Sequence, residues 1–515
     1  MRQLKQIHSR IIVSGLSHLN YPTSKLLSFS ALSDFGDIEY SYALFSHLPT
    51  PNTFIWNTII RGYSRNKNPN RAIVLFRQML CLGVSPDYLT FPFVLKSCAR
   101  LSSLRLGVAV HCLVTKSGIT IDLFVHNSLV HMYASCGDIV AARKAFDEIP
   151  SPSLVSWNSM VDGYAKCGDL VAARGAFELM PERDVVSWSA LIAGYVKGGD
   201  HREALAIFER MQIEGLRANE VTMVSVLCAC AHLGALEQGR RMHDYVESNS
   251  LQLSLVLCTS LVDMYAKCGS IDEAWRVFRE VPPDQTDVLI WNAMISGLAT
   301  HGLSKESLEL FEEMHSLGII PDEITYLGLL CACAHGGLVE DARHFFNSFN
   351  TNGMTPKIEH YACMVDVLGR AGRLDEAYEF VNKMPVEPTA SMLGALLSGC
   401  STHGRVELGE IIGKKLIELE PDHDGRYIGL SNVYAGAHRW DDARTMRKAM
   451  EKRGVKKVPG FSTLEVDRIL HRFIAHDKSH PQSMEIYLML NSIAKQMKLE
   501  ADCRRIRLWC TFLND

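Results

Sequence analysis

Apolar residues recur at helical spacing along the chain, and four segments repeat one pattern: WNTIIRGYSR from Trp56, WNSMVDGYAK from Trp157, WSALIAGYVK from Trp188 and WNAMISGLAT from Trp291. A stripe of this kind buries one face of a helix. Each segment meets a Gly or Asn break and then a second amphipathic stretch: NRAIVLFRQM, VAARGAFELM, HREALAIFERM or KESLELFEEM. A small Ala or Ser near the start of the second helix lets the two helices approach closely. The units close on Pro86-Asp87, Arg183-Asp184, Ala218-Asn219 and Pro321-Asp322, turn signals that stop a helix.

Degenerate copies begin near Tyr88, Glu220 and Glu323 and carry a Leu-x-x-Cys-Ala motif. A shorter phrase recurs as SLVHMYASCGDIVAARKAF from Ser128, SMVDGYAKCGDLVAARGAF from Ser159 and SLVDMYAKCGSIDEAWRVF from Ser260. The positions equivalent to Asn57 fall at Pro92, Asn127, Asn158, Ser189, Val224, Thr259, Asn292, Leu327 and Cys363, in steps of 35, 35, 31, 31, 35, 35, 33, 35 and 36. No single helix pair can bury its apolar face alone, whereas stacked pairs can. The expected fold is all-α: an α-solenoid of stacked helix-turn-helix repeats with a concave groove.

The 515 residues are 47% hydrophobic with a formal net charge of −4, so no global basic field advertises nucleic acid. A polyanion would have to meet a local basic face. No apolar run reaches membrane-spanning length. Fifteen Cys without a secretory signal point to a reducing compartment. The N-terminus lacks acids before Asp34 and carries Arg2, Lys5, Arg10 and Lys25. It fits an organellar presequence or the tail of a repeat, and residues 4–15 look like the later helical segments.

The repeat pattern resembles the plant pentatricopeptide repeat (PPR) proteins of the PLS class, which mixes standard, long and short repeats, and implies a right-handed superhelix. Tetratricopeptide repeats fit neither the signature nor the 31/35/36 alternation. The resemblance divides the chain as follows. Residues 1–52 hold partial long and short repeats. Residues 53–390 hold an array at 53–87, 88–122, 123–153, 154–184, 185–219, 220–254, 255–287, 288–322, 323–358 and 359–390. Residues 391–460 resemble the family's E domain, 461–498 its E+ motif, and 499–515 form a tail matching nothing expected. Gly460, Glu465, His471, Phe473, Asp477, His480 and Pro481 sit where the E+ pattern expects partner-docking residues. Family members usually carry Trp at the positions of Leu393 and Thr463.

The family reads single-stranded RNA one base per repeat, through the fifth and last residues of each. Carried onto this sequence, the base-reading pairs are Ser24 with Asn52, Asn57 with Asp87, Asn127 with Ser153, and Asn158 with Asp184. They continue with Ser189 and Asn219, Thr259 and Asp287, and Asn292 and Asp322. Phe54, Val155, Val186 and Leu289, three residues before a reading position, are candidates to sandwich the bases. Pro92, Val224 and Leu327 have no side chain that can hydrogen-bond a base edge. By the family code the implied site is, 5′ to 3′, A, U, any, C, U, A, any, G, U.

Proteins with this tail resemble specificity factors for C-to-U editing of mitochondrial or chloroplast transcripts, the mitochondrion being favoured here. Alternatives are RNA stabilisation, splicing or translation without editing, and a protein-binding scaffold. A nucleobase deaminase needs H-x-E followed by P-C-x-x-C around zinc. His201-Arg202-Glu203 is an H-x-E, but no C-x-x-C follows, and Cys136, Cys167 and Cys268 recur once per repeat. The expectation is no catalytic residue, metal or cofactor, and a DYW-type deaminase supplied in trans. A basic run, Arg444, Arg447, Lys448, Lys452, Arg453, Lys456 and Lys457, reads equally as a phosphate contact or a solvated helix face.

Overall fold

The computed structural model describes the backbone of the chain except residues 17–18, 120–121, 250, 352, 458, 467–468, 475–476 and 513–515; the side chains of 350–351, 465, 469–470 and 499–512 also lie outside the described residues. Residues 1–229 and 230–515 form two compact units. Helix Arg2–Val13 leads the chain, and from Asn20–Leu32 onward helices alternate as first and second members of pairs. Typical pairs are Leu154–Lys166 with Leu170–Glu178 and Val185–Lys197 with His201–Ile213. In the first unit, helix Leu154–Lys166 packs between Leu123–Ser135 and Val185–Lys197; in the second, Val288–Thr300 packs between Leu255–Lys267 and Glu323–Gly336. Each unit is thus an α-solenoid.

The ends of the pairs explain the repeated phrases. Ser153, Asp184 and Asp322 cap the next first helix by accepting a backbone N–H three residues on, and Ser156, Ser187 and Thr325 return a bond to the cap's own N–H, closing capping boxes. At the other end, Gly137, Gly168 and Gly269 take φ of +83°, +82° and +90°. Only a residue without Cβ adopts that turn freely. Cys136, Cys167 and Cys268 precede these glycines as the C-caps.

Stacking is held by aromatic pairs between repeats. Trp56, Trp188 and Trp291 are almost wholly buried and meet Phe45, Phe177 and Phe278 of the preceding second helix edge-on, at centroid distances of 4.6, 4.7 and 5.0 Å. Such pairs contribute about 0.5–1.5 kcal/mol beyond their area burial. Adjacent first helices touch at small residues: a Cβ built on Gly194 would lie 2.5 Å from Ala165 Cβ, and one on Gly163 2.7 Å from Ala134 Cβ. Second helices are linked by half-exposed ion pairs such as Arg240–Glu273 at 2.7 Å and Arg279–Glu313 at 2.5 Å.

After helix Trp440–Lys452 the chain leaves the all-α pattern. Strands β1 (Phe461–Val466) and β2 (Ile469–Ile474) form an antiparallel hairpin with Ser462 opposite Phe473 and Leu464 opposite His471. Their content of Phe, Thr, Val and Ile favours a pleated strand. Helix Ser483–Phe512 follows. Among the described residues, no helix is long and apolar enough to cross a membrane.

Candidate nucleic-acid interface

Five of the expected pairs are joined by a hydrogen bond. Asn57 Nδ2 donates to Asp87 Oδ1 at 2.9 Å, Asn158 to Asp184 at 3.2 Å and Asn292 to Asp322 at 2.9 Å. Asn127 Nδ2 donates to Ser153 Oγ at 3.4 Å, and Ser189 Oγ lies 3.4 Å from Asn219 Oδ1, with a shorter contact of 2.6 Å to Val185 O. The reason lies in the stacking. The last residue of one repeat caps the first helix of the next, so it sits beside the fifth residue of the helix just packed. No hydrogen bond joins Ser24 to Asn52 or Thr259 to Asp287. Ser24 Oγ instead donates to Tyr21 O at 2.7 Å, and Thr259 Oγ1 to Leu255 O at 2.8 Å, the local bonding that hydroxyls make inside helices.

The joined pairs retain binding capacity. An amide offers two N–H donors and two carbonyl lone pairs. Asn292 uses one N–H on Asp322, and its Oδ1 accepts from Thr325 Oγ1 at 2.6 Å. One donor and one acceptor remain. At Asp322 and Asp184, Oδ1 takes hydrogen bonds from Asn and from backbone N–H, and the neighbouring hydroxyl lies 3.0 and 2.9 Å away. Burial pushes both carboxyls up, but these hydrogen bonds outweigh it and hold both below the ordinary carboxylate value, so they are ionised at neutral pH.

Phe54, Val155, Val186 and Leu289 are each more than half exposed. The same offset yields exposed Phe124, Val221, Val256 and Ile324, which the sequence reading left out although the spacing carries them. Apolar side chains held out at one recurring site form steps between successive slots. In the first unit a groove of about 560 Å³ is lined by Pro92, Asn127, Phe124 and Val155, with Arg61, Arg65 and Lys96 along it. Burial, with Lys166 and Lys96 nearby, pushes the His131 imidazolium down, so Arg61, Arg65 and Lys96 carry the groove's positive charge at neutral pH.

The remaining motifs are structural in their contacts. Glu203 pairs with Arg174 of the preceding second helix. Cys136 Sγ and Cys268 Sγ lie 3.9 and 3.5 Å from the carbonyls of Cys98 and Cys230. Among the described residues no group of three or more His, Cys, Asp or Glu could hold a metal. In the basic run, Arg444 pairs with Asp441 and Arg453 with Asp422, and Arg447 donates to Ser431 Oγ. His480, beyond the hairpin, shares a hydrogen bond of 2.8 Å with His471 of β2, and Phe473 lies 5.2 Å from the His480 ring. Asp477 takes both the N–H and the hydroxyl of Ser479, which hold its carboxyl below the usual value. Gly460 and Pro481 flank this cluster and are exposed; the side chain of Glu465, in β1, lies outside the described residues.

Models of the PPR repeat family match residues 51–100, 183–232 and 286–335, PPR repeat models match 124–151, 155–185, 256–282, 324–354 and 352–385, and the E motif and E+ motif match 403–465 and 470–497. Pentatricopeptide repeat-containing protein At5g08305 of Arabidopsis thaliana is 54% identical over 503 residues, covering 98% of this chain and 94% of that protein. The chain belongs to the pentatricopeptide repeat family. A second Arabidopsis thaliana member, At5g66520, is 48% identical over 94% of this chain and 78% of its own length. Among solved structures, the pentatricopeptide repeat protein PPR10 from maize is 18% identical with a TM-score of 0.40, covering 84% of this chain and 79% of that one. The E-motif match begins at 403, between helices Ala390–Thr402 and Val406–Leu419, where the sequence division begins the E domain at 391.

Proposed function

We propose that this PPR protein binds single-stranded RNA one base per repeat and acts as a recognition factor, not itself an enzyme, for C-to-U editing of an organellar transcript. One observation carries the RNA reading. Asn57, Asn127, Asn158 and Asn292, each hydrogen-bonded to its cap at one recurring site, keep one N–H and one carbonyl lone pair unused, beside exposed apolar side chains. At Asn292 the remaining N–H suits a carbonyl of uracil and Oδ1 suits its N3–H, while Leu289 and Ile324 can sandwich the ring. Asn127 with Ser153 suits cytosine and Ser189 with Asn219 adenine, as the family code implies. Thr259 with Asp287 and Ser24 with Asn52 would read G and A from side chains not joined to each other.

The editing role is supported by the E and E+ motifs. The hairpin, with Gly460, His471, Phe473, Asp477, His480 and Pro481, is the proposed docking element for a DYW-type deaminase acting in trans. Relatives named as mitochondrial and as chloroplastic support an organellar site of action in one or the other. Sequencing organellar transcripts from a plant lacking this protein tests the editing role. Loss of C-to-U conversion at one C downstream of the implied site is expected. Intact editing with altered transcript abundance would instead favour a stabilising or processing role.

A further inference from the structure

The five joined pairs share a third residue. Three positions beyond each cap stands a hydroxyl: Thr90, Ser156, Ser187, Thr222 or Thr325, each fully buried. Four of these hydroxyls lie 2.7, 2.7, 2.6 and 2.6 Å from the Oδ1 of Asn57, Asn127, Asn158 and Asn292. The fifth, Thr222 Oγ1, lies 2.6 Å from Ser189 Oγ. In the four Asn repeats the same oxygen accepts the cap's backbone N–H, at 3.0, 3.0, 3.2 and 3.0 Å. Where the equivalent residue is Ile55 or Ile290, both fully buried, the slot is Ser24 or Thr259 and no hydrogen bond joins slot to cap.

Resting on the base-reading function proposed above, we infer that this buried hydroxyl is a positioning residue that fixes which face of the reading amide meets the base. A hydroxyl has one hydrogen to give. With the cap N–H already donating to it, that hydrogen goes to Asn Oδ1, the shortest of its contacts. At Asn158 and Asn292 the ionised cap then holds Asn Nδ2. An amide held by a carboxylate on its nitrogen and a donor on its oxygen resists flipping, because flipping would set Oδ1 against the carboxylate and give up the short bond from the hydroxyl, whose hydrogen would have to turn to the cap. The unused N–H and lone pair therefore keep one orientation before RNA arrives, which lowers the cost of ordering on binding. The hydroxyl of Thr325 has no exposed surface, whereas Asn292 keeps 4%, so the hydroxyl acts only through the amide. It also separates a capping box from a reading pair. An ordinary capping box closes within one helix, whereas these oxygens reach 33 residues back from Thr325 to Asn292 and 29 from Ser187 to Asn158.

The test uses the full chain and a labelled single-stranded RNA carrying the implied site. Competitors change only the nucleotide opposite Asn292, or only the one opposite Asn158. T325V should cut the U-over-A preference opposite Asn292 by on the order of tenfold and leave that opposite Asn158 intact. T325S should keep both, and S187A should give the mirror image of T325V. If T325V melts below the assay temperature, S187A decides alone. Equal weakening at every nucleotide would mark a merely structural role and overturn the inference. So would wild-type preference in T325V and S187A while N292A loses it, which leaves base reading standing. Unchanged preference in N292A as well would defeat the base-reading function, and the inference with it.

Discussion

At the scale of single residues, the proposed reading slot is a polar side chain placed in a crowded junction between two repeats. Its partner Asp has a depressed pKa at Asp184 and Asp322, which links the junction to pH. A carboxylate with a lowered folded value adds stability that is fully present above its unfolded value, about 3.9, and lost as pH falls through the folded value. The difference in urea midpoint between wild type and D184N should therefore stay constant from neutral pH to about 5 and shrink at more acid pH; a difference that grows on acidification would contradict the assignment. The slots and caps were legible in the sequence because they recur at fixed offsets. The hydroxyls behind them were not. Ser156, Ser187 and Thr325 read as ordinary capping-box residues, and their bonds to Asn127, Asn158 and Asn292 exist only once neighbouring first helices are packed. Thr259 shows the converse: its place in the pattern promised a pair with Asp287, but its hydroxyl bonds Leu255 O.

At the scale of elements, the repeats that carry Trp56, Trp157, Trp188 and Trp291 are fixed to the one before by that Trp set edge-on to a Phe, and glycines such as Gly163 and Gly194 sit at helix crossings. Trp188→Ala removes a fully buried ring and should cost about 3–5 kcal/mol, read as a drop in urea midpoint. Gly194→Ala should also destabilise, because its Cβ would press on Ala165 Cβ at 2.5 Å and the helices would have to part. Arg279→Ala, at a half-exposed ion pair with Glu313, should cost no more than about 1 kcal/mol. A larger loss there than at Trp188 would mean that charge rather than packing joins the repeats. The helix pairs were plain from apolar periodicity and Gly stops. The β1–β2 hairpin was not, since a short strand pair at the end of a helical array has no periodicity to compare with and was absorbed into the E+ resemblance.

At the scale of the whole molecule, a chain with formal charge −4 would have to hold the proposed RNA through local features. If Arg61, Arg65 and Lys96 are the main phosphate contacts, the logarithm of the affinity should fall with the logarithm of salt concentration with a slope of about −2; a much steeper slope would shift the affinity from base edges to charge. The most direct test of base reading is to recode one repeat. Asp184→Ser turns the Asn158 pair into a copy of Asn127 with Ser153 and keeps a capping side chain at the start of helix Val185–Lys197. Relative affinities for RNAs differing only opposite Asn158 should then shift from preferring U to preferring C, with the other positions unchanged. An unaltered preference for U, in a protein that still binds, would contradict the account.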